Sequence, residues 1–243
     1  MPIKDRRTKI FLLLFLNSSV GFEPVLIDEV QLRIFDLSMN QKTKGTLSSM
    51  LKEGCIEKVE DKYKITDKGY KELSLTFPFF RYLKSEWDGQ WRIISYEIPE
   101  SKRELRDRLR REMVGWGLGP WHRSFWITPH PIIENLRELV YGREEEKYVQ
   151  AFESTHVFGD LNNLVEKVWN KSELEVKYKK IFKDWHEMLS TEKTKEEKVT
   201  FIIRSYIQLL REDPGLPDNL LGKKWIGFES YNIFKEVRNI LLK

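Results

Sequence analysis

Seven consecutive apolar residues, Ile10 to Leu16, follow a basic stretch containing Lys4, Arg6, Arg7 and Lys9. The run falls well short of the roughly 18 residues that a membrane helix requires. A signal peptide would be followed by a small-residue cleavage site, whereas Ser18-Ser19-Val20-Gly21 leads directly into Phe22-Glu23-Pro24. The run is therefore read as a buried helix face, with Ile10, Leu13, Leu14 and Leu16 turned inward. Such a face needs a core to meet. The 243 residues, 40% apolar and 33% charged, suffice for one large domain or two to three small ones. This composition is that of a soluble globular chain without a membrane partner. The one cysteine, Cys55, excludes an internal disulfide and a cysteine-based zinc site, and it suits a reducing cytoplasm.

The net charge of +4 permits nucleic-acid binding without demanding it. Its distribution is more informative: residues 1–80 carry a net +2, residues 81–130 a net +3 and residues 131–243 a net −1. A polyanion is expected to meet the first half of the chain.

From Lys4 to about Ser74 the pattern predicts three helices and a small hairpin. The helices are expected at about Lys4–Asn17, Ile27–Phe35 and Gln41–Glu53, the last capped by Ser38-Met39-Asn40 and stopped by Gly54. The alternation over Cys55–Glu60, the turn at Asp61-Lys62 and Tyr63-Lys64-Ile65 predict a two-stranded ribbon. Thr66-Asp67-Lys68-Gly69 opens a last short helix. This order is that of a winged helix-turn-helix, with double-stranded DNA as its partner, although it also suits a protein-interaction module. The third helix would enter the major groove, with Leu47, Met50 and Leu51 facing the core. Lys42 and Lys44 suit phosphates; Thr43, Thr46 and Ser48 are candidates for base edges; Lys62 at the hairpin tip suits a flanking phosphate.

Pro78-Phe79-Phe80 marks a boundary. Beyond it a strand over Trp91–Ile98, a charged helix over Lys102–Val114, one or two short strands within Leu118–Ile127, a helix over Ile132–Val140 and a strand over Tyr148–Ser154 give the order βαββαβ of a ferredoxin-like domain. From about Asp160 the chain reads as helical. The fold expected is α+β, with a winged helix-turn-helix over 1–78, a ferredoxin-like dimerisation domain over 88–158 and a C-terminal helical domain over 160–243.

Several long, unusually composed motifs point further. They are Trp87-Asp88-Gly89-x-Trp91-Arg92, Tyr96-Glu97-Ile98-Pro99, Lys102-Arg103-x-Leu105-Arg106-Asp107-Arg108-Leu109-Arg110-Arg111, Gly117-Leu118-Gly119-Pro120 and Ser124-Phe125-Trp126-Ile127-Thr128-Pro129-His130. Asp213-Pro214-Gly215-Leu216-Pro217 with Leu220-Leu221 and Trp225 continues the series. Together they resemble the phenylacetic acid degradation repressor (PaaX) family over nearly the whole chain. The resemblance implies a cytoplasmic transcriptional regulator, usually a homodimeric repressor, responsive to an acyl-CoA-like effector. The family's middle domain is in turn similar to the small dimeric nuclease of CRISPR adaptation, which carries an aspartate where this chain has Glu97. A metal-dependent nuclease using Glu97 is thus the alternative, against an exposed carboxylate paired with Arg103 or Arg106. Arg103, Arg106 and Arg110 share one helix face and suit a phosphate-bearing effector, DNA or a dimer partner, unless neighbouring acids neutralise them. No metal-ligand spacing, Walker loop or other catalytic motif occurs, so no metal and no cofactor is expected.

Overall fold

The computed structural model describes all residues except 1, 2, 4, 19–21, 84 and 243, and of residue 242 the backbone only. The expected helix start at Lys4 lies outside the described residues. Helix and sheet are mixed, and the chain forms two compact units. One comprises residues 1–74, 176–210 and 226–243; the other comprises 75–175 and 211–225. The segment expected as a third, helical domain is shared between them, for a reason visible in the first helix.

The first unit is built on α1 (Arg6–Asn17). Asp5 caps it by accepting the Thr8 N–H at 2.7 Å. Not only the expected inward face but every residue from Ile10 to Leu16 is buried, including Phe11, Leu12 and Phe15. A helix that is apolar all round must be surrounded. On one side lie α2 (Glu29–Ile34), α3 (Gln41–Lys52), the hairpin β1 (Ile56–Val59)–β2 (Lys62–Ile65) and α4 (Asp67–Thr76). The other side is closed by the C-terminal part of the chain. Two long helices, α8 (Lys171–Leu189) from Val176 onward and α9 (Lys195–Leu210), and the terminal α11 (Ile226–Leu242) belong here. Phe15 stacks on Tyr231 of α11 at 6.1 Å. Arg238 donates to the carbonyls of Leu16 and Ser18 at the end of α1. The fully buried Trp185, Tyr206 and Phe234 join α8, α9 and α11, with Tyr206 and Phe234 stacked at 4.6 Å. Arg204 of α9 reaches the Ile34 carbonyl at 3.1 Å and the Asp36 carboxylate at 2.5 Å, fixing α2.

The second unit is organised by an antiparallel sheet in the order β4-β5-β3-β6, from β3 (Gln90–Tyr96), β4 (Gly119–His122), β5 (Phe125–Thr128) and β6 (Val149–Thr155). Two helices, α5 (Arg103–Gly115) and α6 (Ile133–Val140), follow β3 and β5. Ile94, Tyr96 and Trp126 of the sheet form one core with Leu109, Met113, Leu136 and Val140 of these helices. Opposite β4 lies α7 (Leu161–Trp169): a Cβ on Gly119 would run into Val168 and Trp169, so close packing there requires glycine. The short α10 (Asp218–Leu221), not foreseen in the sequence, completes the unit.

Polar bonds tie the loops of this unit together. Buried Arg92 donates to both oxygens of Asp88 (2.9 and 2.6 Å), to Glu153 (2.9 Å) and to the Pro129 carbonyl (3.2 Å). The Arg92 bonds hold the Asp88 carboxyl below its usual range. Fully buried His130 stacks on Tyr82 at 5.3 Å, and its Nε2 lies 2.7 Å from the Pro214 carbonyl. A carbonyl only accepts, so Nε2 carries the proton and donates. Burial, aided by the nearby Arg81 charge, pushes the imidazole down to about 3 from its ordinary 6.5. The neutral ring belongs to the folded state. Its contribution is therefore fully present above pH about 6.5 and is lost progressively as the pH falls toward 3. Urea midpoints measured between pH 6.5 and 5 should fall for the wild type and fall less steeply for His130→Gln. Parallel curves would show that His130 titrates normally.

Candidate nucleic-acid interface

The segment around α3 begins with chain stops that the sequence announces. Asn40 accepts the Thr43 N–H at 3.0 Å, and its own amide donates to Ser38 Oγ at 2.9 Å. Capping of this kind contributes about 1 kcal/mol. At the other end Gly54 adopts a left-handed φ of 69°. There the Gly54 N–H reaches the Leu51 carbonyl at 3.0 Å, and the Cys55 N–H reaches that of Met50 at 2.9 Å. This paired closure sets the chain directly into β1. The hairpin is in register from Ile56↔Ile65 to Val59↔Lys62 and is anchored by Val25, which exchanges hydrogen bonds with Tyr63 at 2.8 and 2.9 Å.

A polar clamp orients α3. Arg7 of α1 donates to Glu53 just beyond α3 at 2.6 Å, to both oxygens of Glu72 on α4 at 2.5 and 2.7 Å, and to Cys55 Sγ at 3.1 Å. The Glu72 carboxylate raises the guanidinium further above its usual range. Bonds from Ser49 and Arg7 hold Glu53 below its own. Burial pushes the Cys55 thiol up, which leaves it protonated and packed rather than reactive.

The buried side of α3 consists of Thr43, Leu47 and Met50. Thr43, expected at the polar face, is fully buried, and its hydroxyl has no partner among the described residues. The reason is periodicity: positions 43, 47 and 50 lie at i, i+4 and i+7 and form one stripe. The same spacing would have excluded Thr43 from the sequence alone. Lys42, Lys44 and Ser48 are exposed, as are Gln41, Gly45 and Lys52, whereas Thr46 is half-buried. Neither Lys42, Lys44 nor Lys52 has an ion-pair partner among the described residues. The Thr46 hydroxyl turns back onto the Lys42 carbonyl at 2.9 Å, and Ser49 donates to Glu53 at 2.6 Å. That leaves Ser48 as the outward hydroxyl not engaged within the described chain. Lys62 is exposed where β2 begins.

The other candidate residues lie in the second unit. Arg103 pairs with Asp107 at 3.6 Å, and Arg106 pairs with Glu100 at 2.6 Å. Arg110 lies 5.9 Å over the Trp126 ring and meets no carboxylate among the described residues. Two of the three arginines are thus neutralised locally. Arg108 pairs with buried Glu145. Glu97 is exposed and has no ion-pair partner among the described residues, so the expected pairing with Arg103 or Arg106 does not form. The described residues contain no group of three or more His, Cys, Asp and Glu side chains placed to hold a metal ion. None of their helices is long and apolar enough to cross a membrane.

Residues 84–168 match the family model of the PaaX protein central Cas2-like domain, and residues 169–243 match that of the PaaX-like protein C-terminal domain. The chain belongs to the PaaX family. The transcriptional repressor PaaX of Escherichia coli (strain K12) is 23% identical over 196 residues, which cover 72% of this chain and 60% of that protein. The alignment thus spans less than two thirds of the relative's length. The fold of this PaaX-family chain is shared with a solved structure, the uncharacterized protein Rv0674 from Mycobacterium tuberculosis. That match has a TM-score of 0.50 and 16% identity over 98% of this chain and 99% of the other.

The motifs that carry the PaaX resemblance do structural work. Asp88 and Arg92 close their own loop, Gly119 admits α7, and His130 binds Pro214. Asp213 accepts the Gly215 N–H at 2.7 Å. Removing the unpaired Thr43 hydroxyl by Thr43→Val should raise the unfolding free energy by about 1 kcal/mol, read from the urea midpoint. A fall in stability would instead mean that the hydroxyl is satisfied in solution.

Proposed function

We propose that this chain is a DNA-binding transcriptional regulator acting as a homodimeric repressor. The observation that carries the reading is the outward face of α3, where Lys42, Lys44 and Lys52 stand exposed without acidic partners among the described residues. In this reading α2 and α3 are the helix pair of a winged helix-turn-helix, and β1–β2 is the wing. Lys42 and Lys44 bind phosphates, Ser48 and the partly accessible Thr46 approach base edges, and Lys62 binds a flanking phosphate. Support comes from the relative named a transcriptional repressor. No arginine stands on α3, so the bidentate contact to guanine is missing and discrimination rests on weaker contacts.

The βαββαβ segment, taken as a ferredoxin-like dimerisation domain over 88–158, pairs two copies. A C2 dimer presents two α3 helices and so selects an inverted repeat. An acyl-CoA-like effector meets the Arg103, Arg106 and Arg110 face through its phosphates, with Arg110 as first contact and Arg103 and Arg106 released from Asp107 and Glu100 on binding; it frees the DNA by favouring a dimer geometry that no longer matches the half-sites. The winged segment over 1–78 and the helical segment over 160–243 complete this functional division, and the protein works in the cytoplasm.

The test is selection of genomic fragments by the purified chain at two salt concentrations. Enrichment of a short inverted repeat that persists at the higher salt supports the reading; uniform binding that vanishes with salt contradicts it. In the same assay, Lys42→Ala combined with Lys44→Ala should weaken binding across all sequences and lower the salt slope by about 2. Unchanged affinity and slope would remove α3 from the DNA-binding face.

A further inference from the structure

Gly45 is the fifth of the twelve residues of α3, and its conformation is ordinary right-handed helix. A glycine inside a helix weakens it relative to alanine, so it usually answers a packing need. Gly69 in α4 shows such a need, because a Cβ there would collide with the Cys55 carbonyl and the Phe11 ring. Gly115 also has open space around it but stands at the last residue of α5, where glycine is common. Gly45 has neither reason. A Cβ at position 45 would meet nothing within 4 Å, and the position is exposed.

Its place on the helix is specific. The buried stripe runs through Thr43, Leu47 and Met50. At about 100° per residue, Gly45 points within roughly 20° of the opposite direction, on the line Gln41, Gly45, Ser48 and Lys52. Lys42 and Lys44 flank that line on its two sides. The backbone is therefore bare at the centre of the outward face, with cations around it.

We infer that Gly45 is a positioning residue that lets the α3 backbone come closer to the floor of the DNA major groove than any side chain there would allow, an inference that rests on the DNA-binding reading of α3. The groove is about 12 Å wide and accepts a helix with little to spare. A bare centre brings the Ser48 hydroxyl within reach of base edges while Lys42 and Lys44 reach the two phosphate walls. Short side chains can then discriminate bases without arginine.

The test uses the full chain, the genomic duplex most enriched by the wild type, and a scrambled duplex of the same length. Gly45→Ala and Gly45→Gln should both raise the Tm, because alanine and glutamine favour the helix and find free space. Both should reduce the preference for the selected over the scrambled duplex, by about tenfold for glutamine and less for alanine. A raised Tm with unchanged preference overturns the inference, and so does a lowered Tm, which would assign Gly45 to the fold. The Lys42→Ala, Lys44→Ala chain separates the two levels. If that chain loses affinity while the Gly45 variants keep their preference, only the inference fails. If the wild type binds neither duplex, the reading of α3 fails and the inference with it.

Discussion

The helix α1 is apolar around its whole circumference between Ile10 and Leu16, and this single constraint explains the unusual assembly of the chain. The elements between residues 25 and 74 cover one side of it. The remaining surface is left to chain more than 150 residues further on, where Tyr231 stacks on Phe15 and Arg238 binds the carbonyls at the end of α1. The sheet unit is built from residues 75–175 and 211–225, two stretches that fall in the sequence between segments of the first unit. Burying seven large apolar side chains at roughly 25 cal/mol per Å² is among the larger favourable terms available to a unit of this size.

That buried helix also supplies the frame for α3. Arg7 lies at its N-terminal end, and the same guanidinium gathers Glu53, Cys55 and Glu72. Because Glu53 directly follows α3 and Glu72 lies on α4, one side chain fixes where α3 ends and how it leans. Thr43, Leu47 and Met50 use the inward stripe, and the Asn40 and Gly54 stops leave no ragged turns. What remains outward is a rigid, capped helix carrying lysines and small side chains. Proteins meet nucleic acid on such preformed elements because little ordering entropy is left to oppose binding.

Much of this was legible in the residues. The caps of α3, the hairpin and the order of strands and helices follow from local signals that tertiary packing did not override. The full burial of α1 did not follow, because the covering residues lie in α11 and nothing local in Phe11, Leu12 or Phe15 announces a partner so remote. At Thr43 the polar side chain signals the outer face while its place in the 43, 47, 50 stripe signals the core, and packing follows the stripe. At Gly45 the residue type signals no chemistry; only the empty space around it makes its presence informative. The arginines of α5 read as a basic face in sequence, yet Glu100, distant by six residues from Arg106, neutralises part of it through a turn that periodicity does not describe.

The family motifs and the proposed DNA surface therefore divide the labour: the motifs hold the sheet unit, and the surface is set by α1 through α3. Acetylation of lysines read by mass spectrometry, with and without an enriched duplex, tests that surface most directly. The account requires Lys42, Lys44, Lys52 and Lys62 to be protected by the duplex, while exposed Lys193 and Lys224 label equally in both states. Equal labelling of the first four, or protection of the last two alone, would contradict it.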